Sequence, residues 1–338
     1  MNLRYLCALP LVAAALLSGC GQKQANAPAG NANGEKPLKV ALLIAGPPSD
    51  HGWNGLAHDA VQKLARDTGA QVTEQQTKSK GEIEAALRQF ASNGTDLIVA
   101  HGNEYGQPAL AVAKEFPNVH FVVSSGRVEA PNVTSLIYKL EDATYVLGVL
   151  AARMSETGKA ACIGGMEFPP VASTFYGFEQ GAHATKPGFA VTTAYLNSWD
   201  DTAAGKQQAA TLINQGNDFI FHNADAAGLG VFQAVDDARK AGKDVWALGS
   251  NADQSAINKD VILASAVLDP TAPLEEIVKE IQEDRFQGTK RLITMQNGGV
   301  TVAFNPALKD QIPADVMKDL EEVEAKIKSG ALVVKQSG

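Results

Sequence analysis

The chain predicts an α/β fold made of two doubly wound parallel-sheet lobes. Three observations carry this expectation. Short apolar runs alternate with segments of helical period along most of the chain. The alternation restarts once, at "SLIYKL" (135–140), in a similar order. Roughly 300 of the 338 residues remain once the N-terminal segment is set aside, enough for two lobes of ordinary size.

The N-terminal segment has its own logic. Arg4 places a positive charge near the start, and Leu6 to Leu17 is almost wholly apolar, too short to span a bilayer as a helix. "Leu17-Ser18-Gly19-Cys20" resembles a bacterial lipobox, in which the cysteine is lipidated and becomes the first mature residue. Residues 1–19 are thus expected to be a lipoprotein signal peptide, with Cys20 as the membrane anchor. An ordinary secretory signal with an incidental cysteine is the alternative. Residues 20–36, rich in Ala, Asn, Gly, Gln and Pro, have nothing to bury and read as a flexible tether.

The body begins with "LKVALLI" (38–44), a strand expected to be buried on both faces. Trp53, Leu56, Ala57, Ala60, Val61 and Leu64 follow helical spacing, with Ser49 or Asp50 as cap. "AQVTEQQ" reads as a strand. Ile83, Ala86, Leu87 and Phe90 mark a helix that Gly94 ends. "DLIVAHG", the helix "QPALAVAKEF" and the strand "HFVVSSG" complete the first set. After "SLIYKL" comes a long helix, "ATYVLGVLAARMSETG". Then "AACIGG", "AVTTAYLNSW", "DFIFHNAD" and "DVWALGSN" read as strands separated by three helices. Such β-α alternation gives parallel sheets.

Composition narrows the function. The formal charge of -8 and the lack of a basic patch argue against nucleic-acid binding. Of three cysteines, Cys7 leaves with the signal, Cys20 takes lipid, and Cys162 in "KAACIGG" reads as a small buried hydrophobe. Six histidines lack metal-ligand spacing, and neither a phosphate-binding "GxxxxGK[ST]" nor a "GxSxG" elbow occurs. "GLGVFQ" (228–233) lacks the third glycine of a dinucleotide fingerprint. No enzyme activity, metal or cofactor is expected.

Ligands of open parallel sheets bind beyond the carboxyl ends of the strands. The loops there include "AGPPSDHGWN", "HGNEYGQ", "NSWDD", "HNADAAGLG" and "GSNADQ", which converge on one cleft if the lobes face each other. Trp53 and Trp199 sit at strand-to-helix junctions on the expected rim, either as stacking surfaces or as half-buried packing residues. His101 and His222 end strands of different lobes and are further candidates, whereas Trp246 reads as core.

Several stretches resemble the basic membrane protein family, whose best-understood type is the purine nucleoside receptor lipoprotein of bacterial ABC importers. They are "SDHGWNGLAHDAV", "NVTSLIYKLEDATYVLGVLAARMSETGKAACIGGM", "YGFEQGAHA", "GLGVFQAV" and "GSNADQ". The resemblance implies a type I periplasmic-binding-protein fold, with two doubly wound parallel-sheet lobes joined by a three-strand hinge. The N-terminal lobe would take residues 37–138 and about 268–295, the C-terminal lobe about 139–267 and 296–338. Carried over by position, it implies ligand contacts from Asp50, Trp53, Asn54, Asn103 and Tyr105 in the first lobe. In the second it implies Trp199, Asn223, Asp225, Asn251 and Asp253. Asn251 stands where the family usually has a ribose-gripping aspartate, and Leu268 where many members have a lysine. Both departures weaken the case for ribose and favour a free base or a differently decorated ring.

The implied function is a monomeric, lipid-anchored solute-binding protein of the cell envelope. It would capture a purine-like small molecule for an ABC permease and ATPase, touching the membrane only through its lipid. The alternatives are a lipoprotein sensor presenting its ligand to a membrane receptor, a surface lipoprotein that binds host or matrix molecules, and a binder of a non-purine small molecule.

Overall fold

A computed structural model of the protein describes residues 37–337. The signal segment, Cys20 and the tether fall outside the described residues.

The first sheet is built from β1 (Lys39–Ile44), β2 (Gln71–Gln76), β3 (Leu97–His101), β4 (His120–Ser124) and β5 (Val133–Tyr138). Helices α1 (Trp53–Thr68), α2 (Lys80–Ser92) and α3 (Gly106–Glu115) connect them. From Val40 to Ile44, β1 is buried throughout, as an apolar strand covered by helices on both faces must be. The α1 stripe of Leu56, Ala57, Ala60, Val61 and Leu64 is buried, and Gly69, in the left-handed region, ends the helix. Ser79 caps α2 by accepting from the amide of Glu82, whose carboxylate accepts in turn from the amide of Lys78.

The second sheet uses β6 (Lys159–Gly164), β7 (Ala190–Tyr195), β8 (Phe219–Asn223), β9 (Trp246–Asn251) and β10 (Ile262–Leu268). Its helices are α4 (Glu141–Met154), α5 (Pro169–Thr185), α6 (Thr202–Asn214) and α7 (Gly228–Lys240). The chain then runs through α8 (Thr271–Gln282), β11 (Lys290–Ile293), β12 (Val300–Phe304) and α9 (Ala314–Lys328).

Each sheet has six strands, in the orders β11-β5-β4-β3-β1-β2 and β12-β10-β9-β8-β6-β7. All pairings are parallel except β10 with β12. The fold is therefore a two-lobed α/β structure of the periplasmic-binding type. The strand at which the alternation restarts, β5, pairs with β4 and β11 and so belongs to the first sheet, and the chain enters the second lobe at α4. A buried strand does not declare its sheet in its own sequence, because pairing is a long-range choice.

The chain crosses between lobes three times among the described residues: after β5, after β10, and between β11 and β12. Helices cover both faces of each sheet. The apolar cluster that includes α1, α4, α5, α8 and α9 runs continuously through the crossing region. The α4–α5 contact explains two motif glycines. A Cβ on Gly148 would lie 2.0 Å from the carbonyl oxygen of Phe178, and one on Gly181 would lie 2.0 Å from that of Tyr145. Cys162 is buried, and burial pushes its thiol pKa up, which leaves it inert. Trp246 is core, with the Arg239 guanidinium over its ring.

Candidate functional site

In each sheet the strand order reverses direction once, between β1 and β3 in the first and between β6 and β8 in the second. Ligand clefts form at such switch points, beyond the carboxyl ends of the strands. A cavity of about 450 Å³ lies there, bounded by both lobes and within the usual range for small-molecule sites.

Asp50 organises the first loop. Its Oδ1 accepts from the amides of Gly52 and Gly55, each at 2.9 Å; its Oδ2 accepts from the amide of Asn54 at 2.8 Å and from Asn54 Nδ2 at 2.7 Å. Asn54 Oδ1 accepts from the amide of Gly46. Both side chains border the cavity; Asp50 spends its four acceptor sites holding the loop to the start of α1, whereas Asn54 keeps one N–H donor and one lone pair unused. Trp53 is thereby fixed on the rim. Its indole stacks on His101, with centroids 3.8 Å apart, and meets Tyr138 edge-on at 6.0 Å. His101 Nε2 donates to the carbonyl of Trp53, and burial lowers the His101 pKa to about 3.

The second lobe supplies the facing wall. Trp199 lies over Gly165, where a Cβ would fall 2.1 Å from the indole, and leans on Phe168 with centroids 6.0 Å apart. Beside it runs a directed chain of bonds. Thr174 Oγ1 donates to the carbonyl of Val171 at 2.6 Å, so it accepts from Asn223 Nδ2 at 3.4 Å. Asn223 Oδ1 then accepts from Asn251 Nδ2 at 3.3 Å. The chain leaves Asn251 Oδ1 as an acceptor at the cavity wall, while Leu268 adds an apolar surface.

The charged side chains bordering the cavity are Asp50, Lys78, Glu104, Asp200 and Asp225. Four of the five are carboxyl groups, whose oxygens suit a ligand rich in N–H donors, and burial raises the pKa of Glu104. Asp225 keeps some solvent-exposed surface, but the cleft walls enclose its carboxyl. Burial raises its pKa well above the ordinary range, and Asp50 and Glu104 across the cleft push the same way.

The structure brings eight of the ten sequence-derived residues to this cavity: Asp50, Trp53, Asn54, Asn103, Trp199, Asn223, Asp225 and Asn251. Two do not arrive. Tyr105 is fully buried, its hydroxyl bonded to Thr77 Oγ1 at 2.8 Å, because the short turn before α3 aims it into the core. Asp253 is exposed and accepts from the amide of Ser255. Asn251 adopts a left-handed φ of 69°, and in the turn that follows it is Gln254, not Asp253, that goes inward. His101 and His222 are buried behind the cavity wall rather than on it. Phe168, Asn197 and Glu104 border the cavity without having been singled out. Phe168 follows β6 just as the Trp53 loop follows β1, and that positional equivalence is the signal that would have found it.

The motif glycines of "GLGVFQ" serve packing. A Cβ on Gly230 would lie 1.9 Å from the carbonyl oxygen of Thr202 in α6, and one on Gly228 would lie 2.1 Å from the His222 ring.

Two lobes, three crossings and one cavity between them define a solute-binding protein of the kind that closes on a small molecule. The chain belongs to the family of PnrA-like ABC transporter substrate-binding proteins, whose sequence model matches residues 38–337. It is a binding protein and not an enzyme. It is 32% identical over 308 residues to a purine-binding protein of Brucella abortus, covering 90% of this chain and 84% of that one. An ABC transporter nucleoside-binding protein of Lactococcus lactis is 25% identical, covering 95% and 96%. A Bacillus subtilis protein named transcriptional activator is 26% identical, covering 88% and 89%. Among solved structures, a solute-binding protein of an ABC transporter system from Aeropyrum pernix superposes with a TM-score of 0.81 at 23% identity, covering 89% and 94%.

Proposed function

We propose that this protein captures a purine base, or a nucleoside-like relative of one, between its lobes and hands it to an ABC permease driven by an ATPase. The observation that carries the reading is the pair of indoles, Trp53 from the first lobe and Trp199 from the second, bordering one cavity. A purine offers two broad faces for such surfaces, and stacking contributes roughly 1–3 kcal/mol per base. Its polar edge suits Asn251 Oδ1, and an acidic wall suits exocyclic amines. The Brucella relative's name points the same way.

In this reading the first lobe comprises residues 37–138 and about 268–295, and the second about 139–267 and 296–338. The crossing segments form the hinge. Lipid on Cys20 attaches the protein to a bacterial membrane, at its periplasmic face or at the cell surface. The protein works as a monomer.

Native mass spectrometry of the purified protein tests the ligand: a co-purifying mass of a base or nucleoside supports the reading, and a sugar or amino acid contradicts it. Cys20→Ser tests the anchor. The variant should leave the detergent phase with ligand affinity unchanged, and continued partitioning into detergent would refute lipidation. The Bacillus relative's name favours a second reading, in which the closed form signals to a regulatory partner. An adjacent permease and ATPase gene pair would decide for transport.

A further inference from the structure

We infer that Gln254 is a closure-positioning residue, a clasp that bonds the second lobe directly to the first without touching the ligand.

Gln254 is 1% exposed and lies in the loop after β9. Its Nε2 donates at 3.2 Å to the carbonyl oxygen of His51, in the loop after β1 of the other lobe. Its Oε1 accepts from the amide of Ser250 at 2.9 Å and from His222 Nε2 at 3.0 Å. These partners fix the amide's orientation. The Ser250 amide can only donate, so the atom facing it is oxygen; the His51 carbonyl can only accept, so the atom facing it is nitrogen. His222 must then carry its proton on Nε2. Its Nδ1 is buried without a partner, next to Gly228, where any larger residue would strike the ring. The backbone N–H of Gln254 also donates to Ser265 Oγ. His51 holds a φ of 52°, a conformation that residues with a Cβ seldom adopt, at the point where its carbonyl meets the clasp.

Every bond but one in this cluster lies within the second lobe and survives opening. The bond to His51 exists only while the lobes are together. The cluster therefore pre-orients a single donor for one interlobe acceptor. It contributes to closure whatever ligand is bound, because apparent affinity scales with the population of the binding-competent state. Gln254 does not border the cavity, so its effect passes through His51 and not through a ligand contact.

The test needs no ligand, which separates its failure from failure of the purine reading; it rests only on the lobes opening and closing. The chain's three tryptophans are replaced biosynthetically by 5-fluorotryptophan, with Trp53 two residues from His51. Fluorine relaxation dispersion then measures the closed population. Gln254→Glu keeps both acceptor bonds but, as a carboxylate, cannot donate to His51. The closed population should fall several-fold, up to about tenfold, the scale of one lost hydrogen bond. His222→Leu should lower it as well, and His222→Gln, which retains a donor amide, should restore it. Equal closed populations in wild type and Gln254→Glu would overturn the assignment. So would His222→Leu and His222→Gln behaving alike.

Discussion

The indole of Trp53 lies on the imidazole of His101 with ring centroids 3.8 Å apart and planes 28° from parallel. His101 also holds the Trp53 carbonyl at 2.9 Å, so one residue fixes both the ring and the backbone of the other. With one face covered by His101 and Tyr138 set perpendicular to it at 6.0 Å, the remaining indole surface is what the cavity receives. Trp199 is set in the same manner by Gly165 and Phe168.

Removing either indole should therefore cost binding more than folding. Trp53→Ala and Trp199→Ala should each weaken ligand binding by roughly 1–3 kcal/mol, the stacking range, in calorimetry. Unchanged affinity with a large drop in melting temperature would make both residues packing elements only.

Asp50 carries the opposite expectation. Its carboxylate accepts four N–H bonds within its own loop and is 1% exposed. Asp50→Ala strands those donors in a buried site and should destabilise the fold by about 2–3 kcal/mol, the scale for hydrogen bonds to a charged group. Urea unfolding measures this. A stability close to wild type, with binding alone lost, would return Asp50 to the role of a direct ligand contact.

Buried histidines set the acid limit. Burial lowers the pKa of His101 to about 3 and that of His222 to about 4, against an ordinary value of 6.5. The unfolded chain thus binds more protons than the folded one below pH 6.5. The stability these neutral rings contribute is complete above that pH and is lost as pH falls toward 4, at roughly 1.4 kcal/mol per pH unit for each ring. His222→Gln should flatten that slope by one proton in denaturation curves measured from pH 7 to about 4.5. An unaltered slope would mean that His222 is protonated in the folded state.

Much of this architecture could be read from the chain. Strands such as Val40–Ile44 are apolar throughout, and the α1 stripe recurs at helical spacing, so period and length identified both. The rim was legible because ligand loops follow the carboxyl ends of strands. What escaped were side-chain directions inside irregular backbone. Tyr105 turns inward within a short turn, and after the left-handed Asn251 it is Gln254 that is buried while Asp253 faces solvent. No periodicity governs such positions. Asp50 and Asn54 were found, but their occupation by each other is a matter of hydrogen-bond geometry that residue type does not disclose.

The same geometry bears on ligand size. The Thr174–Asn223–Asn251 chain presents a neutral acceptor, and the buried Leu268 cannot hydrogen-bond. A ribose diol is best held by a carboxylate, and charge-assisted bonds are about twice as strong as neutral ones. Adenine should therefore bind at least as tightly as adenosine. Asn251→Asp should shift the preference toward the nucleoside by several-fold. No shift in the adenosine-to-adenine ratio would separate Asn251 from the sugar.

The most direct measurement of the central claim is titration calorimetry of the protein against adenine, guanine, hypoxanthine, their nucleosides, and a set of sugars and amino acids. The account predicts saturable one-to-one binding of at least one purine base, lost or greatly weakened in a Trp53→Ala, Trp199→Ala double variant. Binding confined to sugars or amino acids, with every purine silent, would contradict it.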